Sequence, residues 1–205
     1  ITEHSRAERL AHGLDPQRLA RQIDEVERLG DPVPGLRIFK GIEVDILADG
    51  TLDLPDATLA KLDVVVASVH SHFELPRARQ TERILRAMDN PYVRIIGHPS
   101  GRLLGEREPF DVDMLKVIRK AGARGIAMEL NSQPERLDLT DVHCRMAKEE
   151  GVLVAINSDA HSVGDFDHVR DGVDQARRGW LEKADVLNTR GLAAMVDWLR
   201  RRNLE

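Results

Sequence analysis

Cysteine occurs once, at Cys144, which excludes an intramolecular disulfide framework and a cysteine-based zinc finger. No run of about eighteen apolar residues occurs, so no membrane-spanning helix is expected. No charged segment followed by an apolar stretch opens the chain, so no secretory signal is read, and a reducing, cytoplasmic setting fits. Positive charge is not in excess: 30 Lys and Arg face 35 Asp and Glu, a formal net charge of −5. That balance argues against a domain holding DNA by bulk charge alone. No Gly-rich phosphate turn follows any predicted strand. An initiating methionine is also lacking. The chain opens Ile1-Thr2-Glu3-His4, whose β-branched pair reads as the tail of a strand, so it is expected to be a piece of a longer protein.

What is there suits a folded domain. The 205 residues are 41% hydrophobic and 32% charged, enough apolar sequence for a core. Asp15-Pro16 offers a cap and a first-turn proline for a helix closed by Gly30. Residues 37–45 (RIFKGIEVD) read as a strand and 53–62 as a short helix. The run 62–69 (LDVVVASV) is β-branched and apolar, as in a strand buried on both faces. A helix from Arg77 to Met88 and a strand over 92–97 (YVRIIG) follow. Then come a helix capped by Asp111, a strand over 125–130 (GIAMEL), a helix over 140–150 and a strand over 152–157 (VLVAIN). Helices around Val169 and Leu192 finish the chain. Strand and helix alternate over residues 1–205 without linker or repeat, which predicts a single parallel α/β domain, a barrel rather than a doubly wound sheet.

The eight histidines become informative once placed on that map. His4 follows the opening strand remnant, Glu43 lies near the end of RIFKGIEVD, His70 ends LDVVVASV and His98 ends YVRIIG. Asp159 and His161 (NSDAH) end VLVAIN, and GIAMEL contributes Glu129 and Asn131. Parallel strands bring these endings to one face, where α/β barrels build their sites. Imidazoles mixed with carboxylates suit zinc, manganese or iron. Each position taken singly has an ordinary structural alternative, but coincidence at five strand ends favours a metal site. Several ions sharing a pocket fit phosphate-ester hydrolysis. Arg102 in GHPSGRLLG is the best-placed candidate for a bidentate phosphate contact and Arg136 after GIAMEL the second, with His72 on the rim. His12 and His168 are expected in solvent and His143 on a helix surface, and Cys144 is expected in the core. Arg77, Arg79, Arg83 and Arg86 read as a solvated helix face rather than a nucleic-acid groove.

The strings TEHS, GIEVDIL, SVHS, IGHPSGRLLG and NSDAH, in this order, resemble the PHP (polymerase and histidinol phosphatase) domain. GIEVDILADGTLDLPD, LDVVVASVHS, NPYVRIIGHPSGRLLG and ARRGWLEKADVLNT resemble the version at the C-terminus of bacterial family X DNA polymerases, and cover almost all of the chain. The resemblance implies a distorted seven-stranded (βα)7 TIM-like barrel holding up to three ions, Mn2+ or Zn2+. It implies a metal-dependent phosphoesterase, a 3′-5′ exonuclease acting on DNA 3′ ends in repair, with a polymerase domain in the same polypeptide. His4, Glu43, His70, His98, Asp159 and His161 match ligand positions. Glu43 matches the carboxylate bridging two ions, with His70 and His98 completing the second site, Asp159 the first, and His4 with His161 the third. Glu43 and Asp159 are thereby the implied catalytic carboxylates.

Two departures accompany the match. The family's first strand, with its His-x-His, the following helix and most of the second strand precede the TEHS motif, and none of this lies in the sequence. The first ion would lack both imidazoles and the third one of its own, so the stretch by itself is expected to hold a partial metal set. Glu3 stands where the family has Asp. The alternatives are a histidinol-phosphatase-like enzyme for a small phosphomonoester, or a non-catalytic domain that steadies a polymerase. An amidohydrolase-type site needs a bridging strand-end lysine, and Lys40 comes too early in its strand.

Overall fold

The computed structural model describes residues 1–6, 13–31 and 33–201, so His12 lies outside the described residues. Six parallel strands run in sequence order: β1 (Thr2–His4), β2 (Gly41–Asp45), β3 (Val64–Ser68), β4 (Ile95–Ile96), β5 (Ala127–Asn131) and β6 (Val154–Asn157). Between and after them lie α1 (Pro16–Leu29), α2 (Asp56–Leu59), α3 (Arg77–Ala87), α4 (Met114–Arg124), α5 (Asp141–Glu149), α6 (Val169–Arg178) and α7 (Leu192–Arg200). The alternation predicted from the sequence is therefore the observed one.

Local chemistry explains the helix ends. Asp15 Oδ1 accepts the Gln17 and Arg18 amides at 2.9 and 2.8 Å, and Pro16 needs no partner in the first turn. Thr140 Oγ1 caps α5 by accepting the His143 amide at 3.2 Å. Three of the boundaries that differ from expectation have a local cause. The helix after β4 is capped by Asp113, not Asp111, because the Asp113 amide is first held by Thr81 Oγ1 at 2.9 Å. The strand expected over 92–97 narrows to two residues, since Asn90 Oδ1 captures the Tyr92 amide at 2.9 Å and bends the chain into a turn. The helix expected over 53–62 shortens to α2, as the Asp53 amide is bound to Asp45 O at 3.0 Å.

Strand alternation sorts the residues into two faces. In register, His4 pairs with Glu43, Glu43 with Val66, Val66 with Ile95, Ile95 with Ala127, Glu129 with Ala155 and Asn131 with Asn157. All of these share one face. The other face carries Ile42, Val44, Val65, Ala67, Ile96, Met128, Leu130, Val154 and Ile156, which pack against the surrounding helices in the main core. On the first face Val66, Ile95, Ala127 and Ala155 form a smaller cluster with Leu187, which precedes α7, and Trp198 of α7. That face is thus apolar towards the strand starts and polar towards the strand ends. Flat, six strands would span about 24 Å. Yet the rings of His4, on β1, and His161, just past β6, lie 6.1 Å apart. The sheet is curled.

Arg83 corrects the expectation of a solvated α3 face. It is only 1% exposed. Its guanidinium donates to Leu47 O at 3.1 Å, to Ser71 O at 2.8 Å and to Ile46 O, tying together the loops after β2 and β3. A buried arginine is tolerable where carbonyls take its N–H groups.

Candidate metal centre

The polar half of the curled face gathers four of the six proposed ligands. His98 Nε2 lies 2.8 Å from Glu43 Oε1, His70 Nε2 lies 3.3 Å from the same oxygen, and the two nitrogens are 3.2 Å apart. His4 Nδ1 lies 3.6 Å from the other Glu43 oxygen. Ligand atoms of His4, Glu43 and His70 all fall within 4.8 Å of one another. With metal–nitrogen bonds of about 2.0–2.1 Å, ligand atoms around a tetrahedral ion sit roughly 3.3 Å apart. The Glu43, His70 and His98 triangle has that size. Moreover, His4 Nδ1, the nitrogen that faces Glu43, is buried without a hydrogen-bond partner among the described residues. The donor set therefore fits a divalent ion of the zinc or manganese kind.

Electrostatics follow from the packing. Burial alone lowers the basicity of His70, but the Asp45 and Glu43 carboxylates outweigh it and push its pKa up to about 10. Burial raises Glu43, and the His70 and His98 imidazoles overcome this, holding it well below the usual carboxylate range. Metal binding at such a site displaces a proton. Glu129 is pushed up to about 7, first by burial and further by the Glu43 and Asp159 charges.

Asp159 and His161 sit past β6. Asp159, at φ 49°, accepts Asn131 Nδ2 at 2.9 Å and lies 3.7 Å from Arg136 Nε. His161 is exposed, its Nδ1 2.8 Å from Asp159 O, and its ring stacks beside His4. Arg136 Nη1 is buried without a hydrogen-bond partner among the described residues. Arg102 is turned to the backbone instead, donating to Arg136 O at 2.7 Å and to Leu137 O. His72 is exposed, at φ 55°, near Glu74. Lys40 pairs with Glu27 and takes no part in the cluster. His143 is half-buried rather than on the surface, and burial lowers its pKa. Cys144 is in the core as expected.

Sequence reasoning missed Asp45. Its carboxylate binds His70 Nδ1 and so directs Nε2 of that ring towards Glu43. The signal was present in GIEVD, where Asp45 lies two residues from Glu43 and hence on the same face. Gln133, whose Nε2 donates to Asp159 O at 2.7 Å, was also missed, and its loop position carries no such signal.

Among the described residues, no helix is long and apolar enough to cross a membrane. No family model matches the chain. Individual relatives do. The chain is 43% identical to "DNA polymerase/3'-5' exonuclease PolX" of Bacillus subtilis over 201 residues, covering 98% of this chain and 35% of that protein. It therefore spans about a third of PolX. It is 34% identical over 171 residues to a "Probable phosphatase" of Thermoanaerobacter, covering 78% of this chain and 67% of that protein. A "Probable phosphatase" of Acetivibrio thermocellus is 34% identical over 180 residues, 82% of this chain and 70% of the relative. From the motif order, the strand-end cluster and these relatives together, the chain belongs to the PHP (polymerase and histidinol phosphatase) family, resembling within it the PHP domain of bacterial family X DNA polymerases.

Proposed function

We propose that this chain is the metal-dependent phosphoesterase domain of a family X DNA polymerase, hydrolysing phosphoester bonds at DNA 3′ ends as a 3′-5′ exonuclease. The observation that carries it is the triangle of Glu43 Oε1, His70 Nε2 and His98 Nε2, with sides of 2.8, 3.2 and 3.3 Å. The exonuclease and phosphatase names of the relatives support a phosphoesterase reaction. The same reading takes the six-stranded sheet as part of a seven-stranded (βα)7 barrel, supported by its curl.

His4, Glu43, His70 and His98 would hold Mn2+ or Zn2+ in one group, and Asp159 with His161 would complete it, for up to three ions. Bound divalent ions supply an activated water and a charge clamp for in-line displacement at phosphorus. The chain's own residues do the rest. Glu43, through its two oxygens, links the His4 side of the cluster to the His70 and His98 side. Asp45 keeps His70 turned towards it. Arg136 takes the place of Arg102 as the best-placed phosphate contact, since its buried Nη1 has no hydrogen-bond partner among the described residues. Arg102 braces the Arg136 loop through two carbonyls, and His72 stands at the rim. Divalent ions at the strand ends would offset the formal charge of −5 where a phosphate must sit.

The test uses the full-length protein with Mn2+ and a 3′-labelled oligonucleotide. His98→Ala is expected to lower release by at least about 100-fold, as removal of a metal ligand does. Label release equal to the parent protein rejects this mechanism. Faster hydrolysis of histidinol phosphate than of DNA ends would favour the small-molecule reading. Metal analysis finding no bound transition metal would favour a non-catalytic, polymerase-steadying role.

A further inference from the structure

The turn after β4 has an unusual set of acceptors. His98 stands at φ 24° and Gly101 at φ 62°, both outside the right-handed and extended regions that side chains prefer. Their amides leave the strand ladder and must find partners elsewhere. Two carboxylates supply them, the Gly101 amide being shared with His98 O at 2.9 Å. Glu129 Oε2 accepts the His98 amide at 2.6 Å. Asp138 Oδ2 accepts the Ser100 and Gly101 amides, both at 2.9 Å. Asp138 has no exposed surface and Glu129 is 6% exposed. Among the described residues, neither carboxylate lies within an ion-pair distance of a lysine or arginine.

Burying carboxylates without a lysine or arginine is expensive, and here the backbone amides offset that cost, with Asn157 Nδ2 donating to the other Glu129 oxygen at 2.8 Å. Gly101 is confined as well: a Cβ there would meet Phe110 at 2.5 Å. The turn is thus gripped from β5 on one side and from the loop before α5 on the other. Its cargo is one imidazole, whose Nε2 is held 2.8 Å from Glu43 and 3.2 Å from His70.

We propose that Glu129 and Asp138 are positioning residues for His98, holding its backbone so that Nε2 meets Glu43 and His70. The metal arm of the test rests on the function proposed above, and the metal-free arm does not. In the full-length, metal-free protein, Asp138→Ala is expected to speed amide exchange at Ser100 and Gly101 about tenfold or more. It should also shift the His98 imidazole resonances while leaving those of His168 in place. On titration with Co2+, Asp138→Ala and Glu129→Ala should bind about 10- to 100-fold more weakly than the parent, as loss of a supporting partner does. Asp138→Asn and Glu129→Gln, which keep one accepting oxygen, should recover most of that affinity. If the alanine variants do not fold, Asp138→Leu and Glu129→Met, which fill the space without offering an acceptor, are read by the same resonances. Unmoved His98 resonances in a folded variant that lacks the accepting oxygen, or Co2+ affinity within twofold of the parent in both alanine variants, overturn the proposal. A parent protein that takes up no Co2+, with His98 resonances still shifting, retires the metal reading and keeps the positioning role.

Discussion

Asp45 grips His70 by Nδ1, and Nε2 of the same ring then stands 3.3 Å from Glu43 Oε1. A carboxylate behind an imidazole selects the tautomer and orientation that present the opposite nitrogen. Asp45→Ala is therefore expected to weaken divalent metal binding about 10- to 100-fold. Calorimetric titration of Mn2+ into the folded variant checks this. Equal affinities would mean that His70 is oriented by packing alone.

Gly172 lies where α6 presses on the sheet. A Cβ there would stand 2.1 Å from Ser132 Oγ and 2.7 Å from Ile156 Cγ2. Gly→Ala in a helix gains up to about 1 kcal/mol in propensity. Overpacking costs about 1–3 kcal/mol. The clash wins because Ile156 belongs to β6 and cannot step aside without moving the strand. Gly172→Ala should lower the denaturation midpoint, and a raised midpoint would show that α6 can shift outwards freely.

Asp89 links the end of α3 to α4, with Lys120 Nζ at 2.8 Å and Arg124 Nη2 at 2.6 Å. Slight burial works to raise its pKa, but the hydrogen bonds from Lys120 and Arg124 prevail and lower it. A carboxyl whose folded pKa is depressed adds stability above its unfolded value and loses it as pH falls through the folded one. The side chain is 47% exposed, so the gain is at most about 1 kcal/mol. Asp89→Asn should thus be less stable than the parent at pH 7 and equal to it once Asp89 is protonated in both the folded and the unfolded state. Urea melts at the two pH values measure this, and a gap that persists in acid would assign the loss to packing.

Cys144 is fully buried in α5, and burial pushes its thiol up to about 12. The thiolate is the reactive form. Native protein at pH 8 should resist iodoacetamide, whereas protein unfolded in guanidinium should take up one equivalent per chain. Mass spectrometry distinguishes the two, and rapid native labelling would place the thiol at an accessible surface.

Much of the architecture was legible in local residue patterns. Runs such as VVVAS and the alternation in GIEVD specify strands, and Asp15-Pro16 and Thr140 specify helix starts, because caps and periodicity act within a few residues. His4, Glu43, His70, His98, Asp159 and His161 could be named from their places at strand ends, since parallel strands bring those ends to one side. Other features depended on partners distant in the chain. Arg83 looks like a surface charge in its own helix and is buried because carbonyls 12, 36 and 37 residues away converge on it. The Asp113 cap displaced Asp111 because Thr81, 32 residues earlier, holds its amide. Arg102 turned to the Arg136 loop is likewise a contact of curvature that no local pattern encodes, and while GIEVD puts Asp45 on the face of Glu43, only the pairing of β2 with β3 brings it to His70. Residue types and short-range spacing determined which elements and donors exist. Only the curled sheet decided which donors meet, because hydrogen-bond and metal-ligand distances of about 3 Å are set by side chains arriving from separate strands.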